Sequence, residues 1–142
     1  MAITQALCTS FKKELFEVIH DFDATTGDTF KIALYTSSAS LGAATTAYTT
    51  SGEVTGTSYT AGGNTLTKVS PTSSGTTGFI DFGNTSWTTA TCTARGALIY
   101  KSTNSDKAVA VLDFGGDKTV SAGTFSIAFP TPSSSTAIIR IA

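Results

Sequence analysis

Residues 94–114 read ARGALIYKSTNSDKAVAVLDF. Two apolar runs, Gly96–Tyr100 and Ala108–Leu112, flank a polar link of Ser102, Thr103, Asn104, Ser105 and Asp106. Runs of that length, bounded by turn residues and carrying Val and Ile, read as two β-strands joined in a hairpin. Both faces of each run are apolar: Leu98 and Tyr100 point one way, Ala97 and Ile99 the other. A strand with one wet face alternates with polar residues, so this hairpin belongs in the middle of a packed sheet. Gly115 and Gly116 are expected to break its second strand.

Upstream, Leu7, Phe11, Leu15, Val18, Ile19 and Phe22 recur at spacings of three and four, which predicts an amphipathic helix within residues 1–22. Lys12, Lys13, Glu14 and Glu17 take its other face, with Lys13 and Glu17 as an i,i+4 pair. The apolar stripe must pack on a sheet of its own domain or dock on a neighbouring subunit. His20 falls where the helix should end, a place where the dipole favours a cation. Asp21–Asp28 has the acidic start of a calcium loop. It carries Thr26 where the sixth position needs Gly and Ile32 where the twelfth needs Glu, so it reads as a polar turn.

Phe30–Tyr35 alternates as a strand. Thr36–Gly52, TSSASLGAATTAYTTSG, has no period, and a connection that long is expected to bind something or be mobile. Its small side chains offer little to bury, so it is expected to become ordered on a neighbouring subunit, with Leu41 and Tyr48 as anchors. Glu53–Thr60 and Thr65–Val69 read as a second hairpin about Ala61-Gly62-Gly63-Asn64. Pro71–Gly78 reads as a loop, Phe79–Phe82 as a short strand, and Trp87 as an aromatic core plug in a Thr-rich link. Thr124–Phe129 and Ala137–Ala142 are further strands. The expected architecture is a single mainly β domain spanning 1–142, with the helix in 1–22 and strands in 28–142. About eight strands would form a β-sandwich or a jelly-roll-like body.

Composition narrows the function. Ser and Thr make up roughly a third of the chain, well above ordinary usage, and favour strands and turns. Charged residues are only 13% and the net charge is −1, with no basic run, which argues against phosphate-directed nucleic-acid binding. No apolar stretch has a membrane-spanning length, and the N-terminus lacks a signal-peptide pattern, so a soluble protein made in a cytoplasm is expected. Cys8 and Cys92 lie far apart with no ligand partners at metal-binding spacing, so buried free thiols outrank a disulfide or a metal. The acids Asp21, Asp23, Asp81, Asp106, Asp113 and Asp117 sit mostly at expected turns or strand ends. No enzyme site, metal or cofactor is expected from them.

The stretches MAITQALCTSFKKEL, DTFKIALYTSSASLGAATTAYTT, GEVTGTSYTAGGNTL, TARGALIYKSTNSDKAVAVLDFG and AIIRIA together resemble small virion structural proteins of tailed bacteriophages. The likeness is one of whole-domain texture, with no catalytic motif to carry across. It implies a non-enzymatic particle subunit, foremost a capsid decoration (cement) protein that assembles in the host cytoplasm and stays with the virion. Its expected partners are the major capsid protein and copies of itself. The alternatives are a tail, neck or fibre-associated protein, or a carbohydrate or receptor-binding module with Trp87, Tyr48 and Tyr59 as stacking groups. Candidate partner contacts are Leu41, Tyr48, Tyr59, Phe11 and Leu15.

Overall fold

The expected central hairpin is the longest feature of the fold. The computed structural model describes residues 2–142. Its regular elements, in chain order, are β1 (Ala6–Leu7), α1 (Thr9–Phe16), β2 (Phe30–Tyr35), β3 (Asn64–Thr65), β4 (Lys68–Ser74), β5 (Thr77–Phe82), β6 (Thr85–Lys101), β7 (Lys107–Ile127) and β8 (Ile139–Ile141). All pairings between these strands are antiparallel, in two sheets ordered β1-β7-β6-β2-β3 and β4-β5-β8. The protein is mainly β, a sandwich-like pair of sheets with one short N-terminal helix.

β6 and β7 lie inside the larger sheet because neither face of their inner halves can be left wet. Ala97, Leu98 and Ile99 are fully buried, and so are Ala108, Val109 and Val111 across the hairpin. The register pairs Ala97 with Leu112, Leu98 with Val111 and Ile99 with Ala110. Asn104, Ser105 and Asp106 turn the chain in three successive left-handed conformations, a backbone region that short polar side chains tolerate best after glycine. Farther out, Ala90, Cys92 and Ala94 face inward between the exposed Thr91 and Thr93, the period-2 signature of a half-buried ribbon, and Trp87 also turns inward across a register shift at the left-handed Thr89.

Gly115 and Gly116 do not end the strand. Gly96 pairs with Asp113 and Ala94 with Lys118, so Phe114–Asp117 stand opposite the single residue Arg95. The result is a wide bulge, with Gly115 at φ +77°. The Asp113 side chain accepts the Gly115 N–H at 2.9 Å and lies 3.6 Å from the Arg95 guanidinium, which braces the bulge.

Three other expectations are corrected. Thr65 pairs with Lys31 of β2 and not with the Glu53–Thr60 segment, which joins the body through isolated bridges Tyr35–Glu53 and Thr57–Thr91. Residues 71–78, expected as a loop, form most of the β4–β5 hairpin. The helix stops at Phe16, well short of Phe22. Its end is a hydrogen-bonded cap: Ile19 N–H donates to Glu14 O and Val18 N–H to Leu15 O, with Val18 left-handed at φ 58°. That position usually holds glycine, and with valine there the stop signal is invisible in the sequence.

The two sheets meet through aromatic rings. Phe22 stacks on Phe30 at 4.4 Å, Phe82 of β5 lies 5.9 Å from Phe30 and 6.2 Å from Phe22, and Phe129 approaches Phe82 at 5.8 Å. Trp87 is buried against Tyr59 and Phe125, the core plug that was expected of it.

Candidate functional site

The residue that best marks a working surface is Val18, a β-branched side chain 85% exposed. It projects from the helix cap beside Phe16, which is 91% exposed, and across from Ile141 of the edge strand β8 at 62%. Val18 and Ile141 border a groove of about 680 Å³ between the end of α1 and the smaller sheet, with Leu15, Phe22, Phe79 and Ile139 among its walls. The three-residue β8 and the short helix together leave this face incompletely covered. Chemically the groove is an apolar surface with carboxylates, Asp21 and Asp23, at its edge.

Asp23 is itself fully engaged in a turn. Its carboxylate accepts the N–H groups of Thr25 and Thr26, both at 2.8 Å, and those bonds hold its pKa below the usual carboxylate value. The reading of Asp21–Asp28 as a polar turn therefore holds. His20, on the groove's wall, belongs to a largely buried polar cluster. His20 Nε2–H donates to Glu14 Oε2 at 2.7 Å, Lys101 Nζ donates to Ile19 O and lies 3.4 Å from Asp28, and Lys107 lies 3.8 Å from Glu14. His20 is thus an enclosed partner of the helix and not an exposed cation at its end. Burial pushes its pKa below the ordinary value, against the opposing pull of Glu14.

A second network organises the segment expected to be unstructured. Glu53 accepts the hydroxyls of Tyr48 at 2.6 Å and Tyr59 at 2.7 Å, and the Gly62 N–H at 2.7 Å. Tyr59 in turn accepts the Leu34 N–H, Tyr100 donates to Gly62 O, and Tyr35 donates to Thr49 O. All four tyrosines of the chain end on internal partners. Thr36–Gly52 is further tied down at Leu41, Ala43, Thr46 and Tyr48 by backbone bonds to Ala2, Thr4, Thr9, Ala108 and Asp106.

The expected contact residues divide accordingly. Phe11 and Leu41 are buried in the subunit, at 1% and 5% exposure, out of reach of a docking partner. Tyr48 stacks on Tyr100 at 4.8 Å, and Tyr59 is half-buried with its hydroxyl satisfied. Of the five, Phe11 and Leu15 line the groove, Phe11 from its buried side and Leu15 with a partly exposed side chain. Phe16 and Ile141 were not singled out, and Val18, expected to be covered as part of the helix stripe, is exposed because the helix stops at Phe16. Cys8 and Cys92 are buried and free, with the Cys8 thiol pushed up to about 11 by burial. Among the described residues, no cluster of His, Cys, Asp and Glu has a metal-holding arrangement, and no helix is long and apolar enough to cross a membrane.

Comparison with known proteins identifies no relative. The chain matches no known family, and no curated protein or solved structure is significantly similar to it. The groove and its exposed rim must therefore be interpreted on their own chemistry.

Proposed function

We propose that this protein is a non-enzymatic structural subunit of a tailed-bacteriophage particle. In this reading it is a capsid decoration (cement) protein that binds the major capsid protein and copies of itself. The texture of its sequence suggests the particle, and the exposed Val18 and Ile141 on the groove, with Phe16 exposed at the end of the helix, support the contact role. Exposed apolar side chains grouped beside a groove are the kind of surface that marks interaction sites. The carbohydrate-binding alternative is less supported, since Trp87, Tyr48 and Tyr59 have their rings or hydroxyls committed inside the subunit.

The test is co-sedimentation with shells of the major capsid protein, followed by image reconstruction. The wild-type chain should pellet with shells and appear as density on their outer surface. A Phe16→Ser, Val18→Asn double variant should stay folded, because both side chains are exposed and Asn tolerates the left-handed backbone. It should lose most of its binding. Equal binding by the variant would remove the rim from the interface, and density at a neck, tail or fibre would replace decoration by that location.

A further inference from the structure

His20 is the one histidine of the chain, and its side chain is wholly enclosed. Phe11 meets the imidazole edge-on at 4.9 Å, while Phe22 and Phe30 lie nearly parallel to it at 6.4 and 6.3 Å. With Nε2–H given to Glu14, the buried Nδ1 has no partner among the described residues. The charged groups enclosed with this ring are Glu14 from α1, Asp28 from the turn before β2, Lys101 from the end of β6 and the partly exposed Lys107 from the start of β7; Asp21 and Asp23 line the same groove but are solvent-exposed. The Cys8 thiol at the start of the helix adds no charge while protonated. Two carboxylates thus balance two ammonium groups when the imidazole is neutral. A proton on Nδ1 would add an uncompensated charge and a donor with no acceptor, both costly in an enclosed site.

His20 also sits in the segment that walls the groove. Residues 17–28 are fastened to the larger sheet by Lys101, which donates to Ile19 O and lies 3.4 Å from Asp28, and by Phe22 on Phe30. Near their start lies the left-handed Val18, where a β-branched residue stores backbone strain. We propose that His20 is an acid-operated latch: protonation of its imidazole frees residues 17–28 from the sheet, withdraws Phe22 from Phe30 and opens the groove. The proton comes from solvent and resides on Nδ1, and no bond other than N–H forms. An exposed imidazole takes up a proton near pH 6.5. The closed form resists it because of burial, so the latch holds at neutral pH and yields as pH falls below that value.

The single histidine makes the test direct. Its ring resonances are followed by NMR from pH 7.5 to 4.5, alongside amide hydrogen exchange expressed as protection factors. Protection in residues 17–28 should fall by up to about tenfold per pH unit below about 6.5, while Ala97–Ile99 and Ala108–Val111 stay protected. His20→Phe, which suits the aromatic pocket, should remove this dependence, and His20→Gln serves as a second non-titrating variant. Three results would overturn the latch: simultaneous loss of protection in the segment and the core, an unchanged pH dependence in both variants, or a histidine that titrates while the segment stays closed.

Discussion

Glu53 gathers two phenol hydroxyls and a backbone N–H onto one carboxylate, and its removal should be felt well beyond one side chain. Glu53→Ala would leave Tyr48, Tyr59 and the Gly62 N–H without acceptors. A cost on the order of 2–4 kcal/mol is expected in urea denaturation, with Glu53→Gln losing about half as much because one acceptor oxygen remains. A midpoint unchanged in Glu53→Ala would show that water replaces the carboxylate. The tyrosines themselves give a pH prediction. Burial raises Tyr100 to about 12, and raises Tyr35, Tyr48 and Tyr59 as well. The folded state therefore favours the neutral phenols, and their stabilising contribution is intact below the ordinary value of about 10 and declines as pH rises above it. Tyrosinate absorbance should stay low through pH 10 and then appear together with unfolding; a phenol ionising near pH 10 in folded protein would contradict this. At this scale the sequence identified the aromatic residues but not their direction. Tyr48 and Tyr59 stood out as rings for a partner, while Glu53, whose donors follow no period, was not singled out at all.

The elements show which signals are local and which are not. The hairpin of β6 and β7 was legible because apolar runs on both faces admit only a central position in a sheet. The helix was legible as an element but not in its bounds: Ala6 and Leu7, read as part of it, pair with β7, and at the other end Val18 occupies a cap position that glycine usually announces. Thr36–Gly52 was misread for a different reason: its partners lie far away in sequence. Leu41 pairs with Ile3, Ala47 with Lys107, and Tyr48 N–H reaches Asp106 O, none of which a local window can register. The consequence reverses the expectation from small side chains. Limited proteolysis of the free subunit should leave the bonds between Ser37 and Ser51 intact for as long as the body stays folded, as read by mass spectrometry of the first fragments. Early cuts there, in protein that keeps its circular dichroism, would mean that these bonds open easily and that the segment awaits a neighbour.

Across the whole molecule, strand content was readable and strand order was not. Alternation identifies Phe79–Phe82 and the C-terminal strand separately, yet nothing local pairs β5 with β8 or inserts β7 between β1 and β6. The groove was illegible for the same reason, because it exists only where the helix cap meets the smaller sheet. What joins the two sheets is narrower than either, and it centres on Phe82. This ring is 1% exposed and contacts Phe22 from the turn after α1, Phe30 from β2 and Phe129 beyond β7. The link is reinforced by the Phe129 N–H on the Asn84 side chain at 2.9 Å. Such a joint should make the protein melt as one unit, with Trp87 fluorescence and far-ultraviolet circular dichroism following a single transition. Phe82→Ala removes the shared ring and should cost about 3–5 kcal/mol, the usual range for a buried phenylalanine. It should also uncouple the sheets: exchange protection at Phe79–Ile80 should be lost at lower denaturant than the Trp87 signal, which reports on the larger sheet. If the variant instead loses under about 1 kcal/mol and keeps coincident transitions, the sheets are joined elsewhere. Two separate transitions in the unmodified chain would show that they fold as independent units.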